Sequence, residues 1–217
     1  DVDLDKNGLV DNVAFIVTGS PEGWADLIWP HMWALFQYNE TINGARVWDF
    51  NFLMANWFDP SVLSHEMFHT LGAPDLYRYS VAGEPVGYWD VMASNLNPPQ
   101  HPSMYVKYKY GNWIDGIPVI DRSGWYELNP SSNKYGSVIR VNSRNNPDEF
   151  YILEYRKDDG KYDKSLPSDG LLVWRINTKV DGNSDGPPDG IYVYRYDGTP
   201  SSWGNISQAP FAAEYGR

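Results

Sequence analysis

The stretch DPSVLSHEMFHTLGAPD, residues 59–75, determines how the rest of the chain is interpreted. Asp59 is a typical helix N-cap, and Pro60 suits the first helical position because its ring already fixes a helical φ. An apolar-periodic run follows as far as about Leu71. Gly72 then ends the predicted helix, since glycine adopts positive φ without strain.

The predicted helix carries an H-E-x-x-H motif. His65 and His69 are four residues apart, about 400° of helical rotation, so both imidazoles leave one face and can bind one metal ion. Glu66 lies one step round the helix, where its carboxylate can accept a proton from an activated water. Imidazole and carboxylate ligands suit zinc, which activates water at neutral pH. The motif therefore predicts a zinc hydrolase centre with Glu66 as the general base.

A third ligand and a methionine under the metal are expected downstream. Asp75 arrives six residues after His69, and the turn at Gly72 lets the chain swing back toward the same ion. The spacing is that of the long metzincin consensus, with Asp in place of the usual third His. Glu84 is another carboxylate within reach and stays open as the alternative third ligand. Met92, in YWDVM, is expected either to form the Met-turn or to be an ordinary core residue.

Three segments before the motif predict further elements. Residues 12–18 (NVAFIVT) predict a buried strand, and residues 45–53 (ARVWDFNFL) predict a strand that returns to the same sheet. Residues 24–38 are aromatic and interrupted by Pro30, which favours covered irregular structure or a short helix.

The order of elements predicts an α+β fold. Residues 1–112 are expected to form a zincin/metzincin-like peptidase domain, with a sheet above the zinc helix. From residue 113 onward, short β-runs separated by turns predict an antiparallel β-rich C-terminal subdomain over 113–217. These runs are GWYELNP, SVIRVNS, EFYILEYR, GLLVWRIN and GIYVYRYDG.

The opening of the chain resembles the first nine positions of an EF-hand loop. Oxygen-bearing residues alternate there, and Gly8 permits the sharp turn. Ala14 stands where the bidentate Glu of an EF-hand would be, so the alternative is a plain Asx-turn loop. The expected calcium ligands are Asp3, Asp5, Asn7, Leu9 through its carbonyl, and Asp11.

A second loop, residues 181–189, repeats the same offsets. Loops rich in Asp, Gly and Pro are also common hairpin connections, and this is the alternative interpretation. The candidate calcium ligands in the second loop are Asp181, Asn183, Asp185 and Asp189.

Composition excludes several classes of partner. The chain has 217 residues, 17 Lys plus Arg against 28 Asp plus Glu, and a net charge of -11. That balance argues against nucleic acid or an anionic membrane surface as the main partner. No apolar run approaches the roughly 20 residues needed for membrane insertion, and zero Cys excludes disulfides and thiolate metal sites. The chain starts without an initiator Met or a signal-peptide pattern, so we expect a piece of a longer precursor.

The chain resembles the immune inhibitor A family of secreted bacterial metallopeptidases. The resemblance implies a secreted zinc endopeptidase made with a propeptide, and it places the first His, the Glu and the second His of the family on His65, Glu66 and His69. The segments that carry the resemblance are HEMFHTLGAPDLY, GEPVGYWDVMASN, DLDKNGLVDNVAFIVTG, IWPHMW, MYVKYKYGNWI, EFYILEYR and LPSDGLLVWRIN.

The expected activity is hydrolysis of peptide bonds in a protein or peptide substrate. Tyr77 or Tyr88 is expected to stabilise the oxyanion beside the metal. His31 and His101 match no ligand spacing and are interpreted as structural. The rival hypothesis is a carbohydrate-binding or adhesive β-module on a vestigial, inactive zincin fold, although the intact Glu66 argues against decay of the site.

Overall fold

The structure is a computed structural model that describes residues 1–18, 29–133, 135–158, 161–199, 202–213 and 216. Its contacts group the chain into two compact units, Asp1–Gly72 and Ala73–Arg217. Helices and strands are mixed in several small sheets, which agrees with the predicted α+β class. The domain limits 1–112 and 113–217 stay a prediction. Among the described residues, no helix combines the length and the apolar character needed to cross a bilayer.

The first unit contains a three-stranded mixed sheet and the motif helix. Strand β5 (Asp49–Met54) lies in the centre, parallel to β1 (Val13–Val17) on one side and antiparallel to β2 (His31–Ala34) on the other. Helix α1 (Pro60–Thr70) lies against β5 and β2. The bounds in chain order are β1 Val13–Val17, β2 His31–Ala34, β3 Thr41–Ile42, β4 Ala45–Arg46, β5 Asp49–Met54, a 3-10 turn at Ala55–Trp57, and α1 Pro60–Thr70.

Two strand predictions need correction in this unit. The strand predicted over 12–18 exists as β1, but Phe15, Ile16 and Val17 are exposed; among the described residues, β1 pairs only with β5, at the edge of its sheet. The single strand predicted over 45–53 is divided: β4 forms a small hairpin with β3, and β5 enters the main sheet.

The aromatic segment 24–38 is also corrected where it is described. Residues 31–34 form β2, which pairs with β5 from His31 opposite Phe52 to Ala34 opposite Asp49. Irregular structure or a short helix was the wrong prediction here, because periodicity is a weak guide over four residues. Residues 24–28 lie outside the described part of the chain.

The predicted limits of the motif helix are confirmed. The Asp59 carboxylate accepts hydrogen bonds from the Ser61 backbone N–H at 2.8 Å and the Ser61 hydroxyl at 2.6 Å, and Pro60 is the first helical residue. The helix ends at Thr70, one residue before the predicted end. Gly72 follows with φ of 89°.

The second unit contains a four-stranded antiparallel sheet, in the order β6 (Val138–Asn142), β7 (Glu149–Arg156), β8 (Gly170–Asn177) and β9 (Ile191–Val193). The runs SVIRVNS, EFYILEYR and GLLVWRIN form β6 to β8 as predicted, and GIYVYRYDG contributes three residues to β9. The strand predicted at GWYELNP, residues 124–130, is wrong, because this segment is mostly exposed and, among the described residues, pairs with a strand only through an isolated bridge from Pro130 to Tyr155. The bounds are α2 Met104–Lys109, β6 Val138–Asn142, β7 Glu149–Arg156, β8 Gly170–Asn177, β9 Ile191–Val193, β10 Gly198–Thr199 and β11 Ser202–Trp203.

One face of this sheet places charged side chains in the buried interior. Alternate residues of β7 are buried, and the last two of these are Glu154 and Arg156. Both side chains are fully buried. Arg156 contacts Glu154 at 3.2 Å and Asp163 at 2.7 Å, so the buried cation is paired on two sides.

Candidate metal centre

Helix α1 brings its two histidines together. The Nε2 atoms of His65 and His69 are 3.1 Å apart, and their rings meet edge to face at a centroid distance of 4.7 Å. Two nitrogens bound at about 2.05 Å to one tetrahedral zinc are separated by about 3.3 Å. The described imidazoles therefore already have nearly the spacing that a shared zinc requires.

The turn after α1 brings Asp75 to the same place. One ligand atom from each of His65, His69 and Asp75 lies within 4.8 Å of the others. Asp75 is 8% exposed. Glu84, the alternative third ligand, is exposed and belongs to no such group of the described residues. The structure thus gathers Asp75, and not Glu84, with the two imidazoles, and the three donors fit zinc by type and spacing.

Glu66 is buried beside this group. It follows His65 on α1 and is 5% exposed, although a glutamate side chain is ordinarily solvated. A buried carboxylate next to two converging imidazoles matches the arrangement that the motif predicts.

The loop of residues 181–189 holds the backbone around Asp75. The Asn183 N–H donates to the Asp75 carbonyl at 2.9 Å, and the Asn183 side-chain amide donates to the Leu76 carbonyl at 2.8 Å. A Cβ at Gly182, which has φ of 70°, would lie 2.8 Å from the Asp75 carbonyl oxygen. The close approach therefore requires glycine, and the loop fixes the segment that carries the third donor.

These contacts argue against the second predicted calcium site. The Asn183 side-chain amide donates to the Ile191 carbonyl at 2.8 Å and accepts from the Ile191 N–H at 3.0 Å. The Asp189 carboxylate accepts two hydrogen bonds from Arg78, of 2.7 and 2.6 Å. Asp181 instead accepts from the Tyr110 hydroxyl at 2.8 Å. Among the described residues, Asp181, Asn183, Asp185 and Asp189 form no group of converging ligands. The prediction of calcium here is not supported, because the same side chains close the loop by hydrogen bonds.

The first predicted calcium loop does bring three carboxylates together. One oxygen from each of Asp3, Asp5 and Asp11 lies within 4.8 Å of the others. The same carboxylates accept backbone N–H groups, as Asp3 does from Asn7 at 3.0 Å. The Asn7 side-chain oxygen accepts from the Leu9 N–H at 2.7 Å, as in an Asx-turn. A hydrogen-bonded loop accounts for this geometry, so calcium stays a prediction at this site.

Met92 lies in a turn next to the third candidate ligand. Its side chain is fully buried, and its N–H donates to the Asp90 carboxylate at 2.8 Å. Its carbonyl accepts from the Leu76 N–H at 2.8 Å. The turn is therefore attached to the residue that follows Asp75, whereas a methionine floor beneath a metal stays a prediction.

A tyrosine that the sequence interpretation missed contacts the centre. The Tyr79 hydroxyl donates a short hydrogen bond to the Asp75 carboxylate. Burial and this hydrogen bond raise the pKa of Tyr79. Nothing in the sequence separates Tyr79 from its neighbour Tyr77, and both side chains are exposed, Tyr79 the more so. The oxyanion role assigned to Tyr77 or Tyr88 stays a prediction.

The two other histidines have structural surroundings. The His31 ring stacks on Phe52 at 5.4 Å, and its Nδ1 lies 2.6 Å from the Trp29 carbonyl oxygen. The His101 ring packs edge to face on Tyr162 at 5.2 Å, and burial lowers the pKa of His101 to about 4. Neither residue belongs to a group of possible metal ligands among those described.

Comparison with known proteins identifies the segment that contains the centre. The family model described as immune inhibitor A peptidase M6, catalytic domain, matches residues 11–97. The match includes all three candidate ligands, Glu66 and Met92, and it ends before α2. No curated protein matches the chain. This match over residues 11–97 supports an assignment to the immune inhibitor A peptidase family.

Proposed function

We propose that the chain is a secreted bacterial zinc endopeptidase with a zincin-like catalytic fold. The observation that carries the proposal is the convergence of His65, His69 and Asp75 beside the buried Glu66. The peptidase family of residues 11–97 supports a protein or peptide substrate. The contact of α1 with β5 and β2 supports the zincin-like arrangement of a helix under a sheet.

His65, His69 and Asp75 would bind zinc, and Glu66 would act first as the general base and then as the general acid. Zinc supplies Lewis-acid polarisation of the scissile carbonyl and lowers the pKa of a bound water to about 7. The Glu66 carboxylate accepts the proton of the attacking water and then delivers it to the leaving nitrogen. Tyr79 and Asn183 keep Asp75 in place through its carboxylate and its backbone carbonyl.

Metal removal tests the proposed function directly. We expect the chain to bind one zinc ion, to hydrolyse casein, to lose that activity with 1,10-phenanthroline and to regain it when zinc is restored. Zinc content is measured by plasma mass spectrometry on the same samples. Full activity in zinc-free protein would contradict the proposal, and saturable glycan binding without turnover of any protein would favour a carbohydrate-binding β-module.

A pair of carboxylate substitutions tests the third ligand. We expect Asp75→Asn to weaken zinc binding by more than the about 10–100-fold that loss of an outer partner costs, since a direct ligand is removed. Glu84→Gln, the matched control, should leave the affinity unchanged because Glu84 is exposed and away from the group. Competition titration with a chromophoric chelator measures both constants. The opposite ranking would assign the ligand to Glu84.

A further inference from the structure

The second unit contains a pocket of its own. Its volume is about 270 Å³, and it shares no residue with the group of His65, His69 and Asp75. Its lining combines an apolar wall with polar groups. The residues used below are Met104, Lys107, Trp113, Ile114, Ser131 and Asn133.

The pocket contains a buried cation with few partners. Lys107 lies in α2 and is 7% exposed. Its Nζ donates one hydrogen bond, to the Ser131 carbonyl at 2.9 Å. An ammonium has three N–H donors, yet no carboxylate in the described part of the chain forms an ion pair with Lys107. A buried ammonium without a direct counter-ion is costly, so an anion in the pocket would stabilise it.

Ser131 supplies a second group without a partner. It is 2% exposed, and its hydroxyl makes no hydrogen bond to the residues that the structure describes. Its position is fixed, because its backbone N–H donates to the Tyr155 carbonyl at 2.8 Å. A buried hydroxyl left unpaired is destabilising, so a ligand that bonds with it is favoured. The pocket thus offers both an ammonium and a fixed hydroxyl to a ligand.

The charge of Lys107 persists at neutral pH. Burial and, second, the positive charge of Arg156 lower the pKa of Lys107 to about 8, although Glu154, Asp163 and Asp90 act in the opposite direction. Two of these acids, Glu154 and Asp163, are held by Arg156. Lys107 is therefore mostly protonated at pH 7, and no carboxylate of the described residues forms an ion pair with its ammonium.

We propose that this pocket binds a carboxylate attached to an apolar group. The Lys107 ammonium and the Ser131 hydroxyl would bind the carboxylate oxygens, and the Asn133 amide lies on the same lining. Met104, Trp113 and Ile114 would contact the apolar part. Lys107 is the one cation among the described lining residues, and one cation with apolar walls favours a monoanion over a phosphate dianion. Short aliphatic acids and the free C-terminus of a peptide share this chemistry.

The test titrates the full 217-residue chain with hexanoate and with hexanamide. The two probes have nearly the same shape and differ in charge. We expect saturable 1:1 binding of hexanoate by calorimetry, and binding of hexanamide at least about tenfold weaker, the effect of about 1.4 kcal/mol. N-acetyl-leucine and its amide form the second pair: tighter binding of this acid than of hexanoate would support a peptide C-terminus as the source, and weaker binding a free aliphatic acid.

Variants of the polar groups complete the test. Lys107→Met and Ser131→Ala should each weaken hexanoate binding at least about tenfold. Lys109→Met is the matched control, since Lys109 belongs to the same helix and its side chain is 41% exposed. Ser131→Ala removes one hydroxyl, so it keeps the test decisive if Lys107→Met fails to fold. No saturable hexanoate binding, equal binding of hexanamide, or full binding in both variants would each overturn the proposal.

The pH dependence gives an independent readout. Hexanoate affinity should fall as the pH rises above the pKa of Lys107, because the deprotonated amine no longer attracts the anion. The groups that act on Lys107 are Glu154, Asp163, Asp90 and Arg156, and His101, which shares the lining, is neutral in this range because its pKa is about 4. Lys107→Met should remove the pH dependence. Binding of hexanoate to zinc-free protein separates this outcome from that of the proposed peptidase.

Discussion

Replacing Glu66 with Gln is expected to lower kcat for peptide hydrolysis by about 10²- to 10⁴-fold, the usual contribution of a general base. Glutamine has nearly the same size and can still form hydrogen bonds, but it cannot accept the proton of the attacking water. The side chain is 5% exposed, so no other solvated carboxylate can easily take its position. The zinc content should be unchanged, because the three proposed ligands remain.

Two measurements make the Glu66 result decisive. The kcat for a fluorogenic peptide is compared between wild type and variant, and zinc is counted in the same preparations. Glu84→Gln serves as the control, since it makes the same chemical change at an exposed position. Parental activity in Glu66→Gln would exclude Glu66 as the base. Loss of zinc from the variant would show instead that this carboxylate holds the metal.

The features of the centre that the sequence predicts are local ones. The Asp59 cap, the helix that begins at Pro60 and the turn at Gly72 each depend on contacts within four residues along the chain. The spacing of His65 and His69 fixes their common face by helix geometry alone. Such features follow from residue type and spacing, so they can be recognised without knowledge of the rest of the fold.

The second predicted calcium loop failed for the opposite reason. Asp189 is paired with Arg78, 111 residues away along the chain, and Asn183 bonds Leu76 across 107 residues. Asp and Asn at alternate positions suit either a cation or a hydrogen-bonded loop. Their distant partners decide between the two, and the local pattern contains no information about those partners.

Burial was equally difficult to predict. Residues 13–17 are apolar like a buried strand, but four of the five residues of β1 are exposed, Ala14, Phe15, Ile16 and Val17. In β7, Glu154 and Arg156 have the polarity of a solvent-facing strand end, yet both are fully buried. Position in the sheet and pairing across elements outweigh the polarity of single residues in these strands.

Replacing Arg156 with Met is expected to destabilise the fold by about 3–5 kcal/mol, the usual loss when one partner of a buried ion pair is removed. Arg156 bonds Asp163 at 2.7 and 3.1 Å and Glu154 at 3.2 Å, so the variant leaves two buried carboxylates without their cation. Burial raises the pKa of Glu154 even in the native state, which shows how unfavourable its charge is there. The free energy of unfolding is measured by urea titration.

Arg122→Met is the matched control for this prediction. The Arg122 side chain is 87% exposed and lies 3.7 Å from Asp121, also exposed, so the change should be at most about 1 kcal/mol. A loss as small as this in Arg156→Met would show that the carboxylates are protonated or hydrated instead of paired. A second variant, Arg156→Met with Glu154→Leu, should recover part of the loss, because it removes one of the uncompensated charges.

We also expect Arg156→Met to weaken zinc binding at the candidate metal centre. Arg156 donates to the Trp89 carbonyl at 2.9 Å, immediately before the turn in which Asp90 accepts the Met92 N–H. The Met92 carbonyl in turn accepts a hydrogen bond from the N–H of Leu76, the residue that follows Asp75. Because this chain of hydrogen bonds joins the buried pair to the third proposed ligand, zinc affinity measured below the unfolding transition should fall in Arg156→Met and stay unchanged in Arg122→Met.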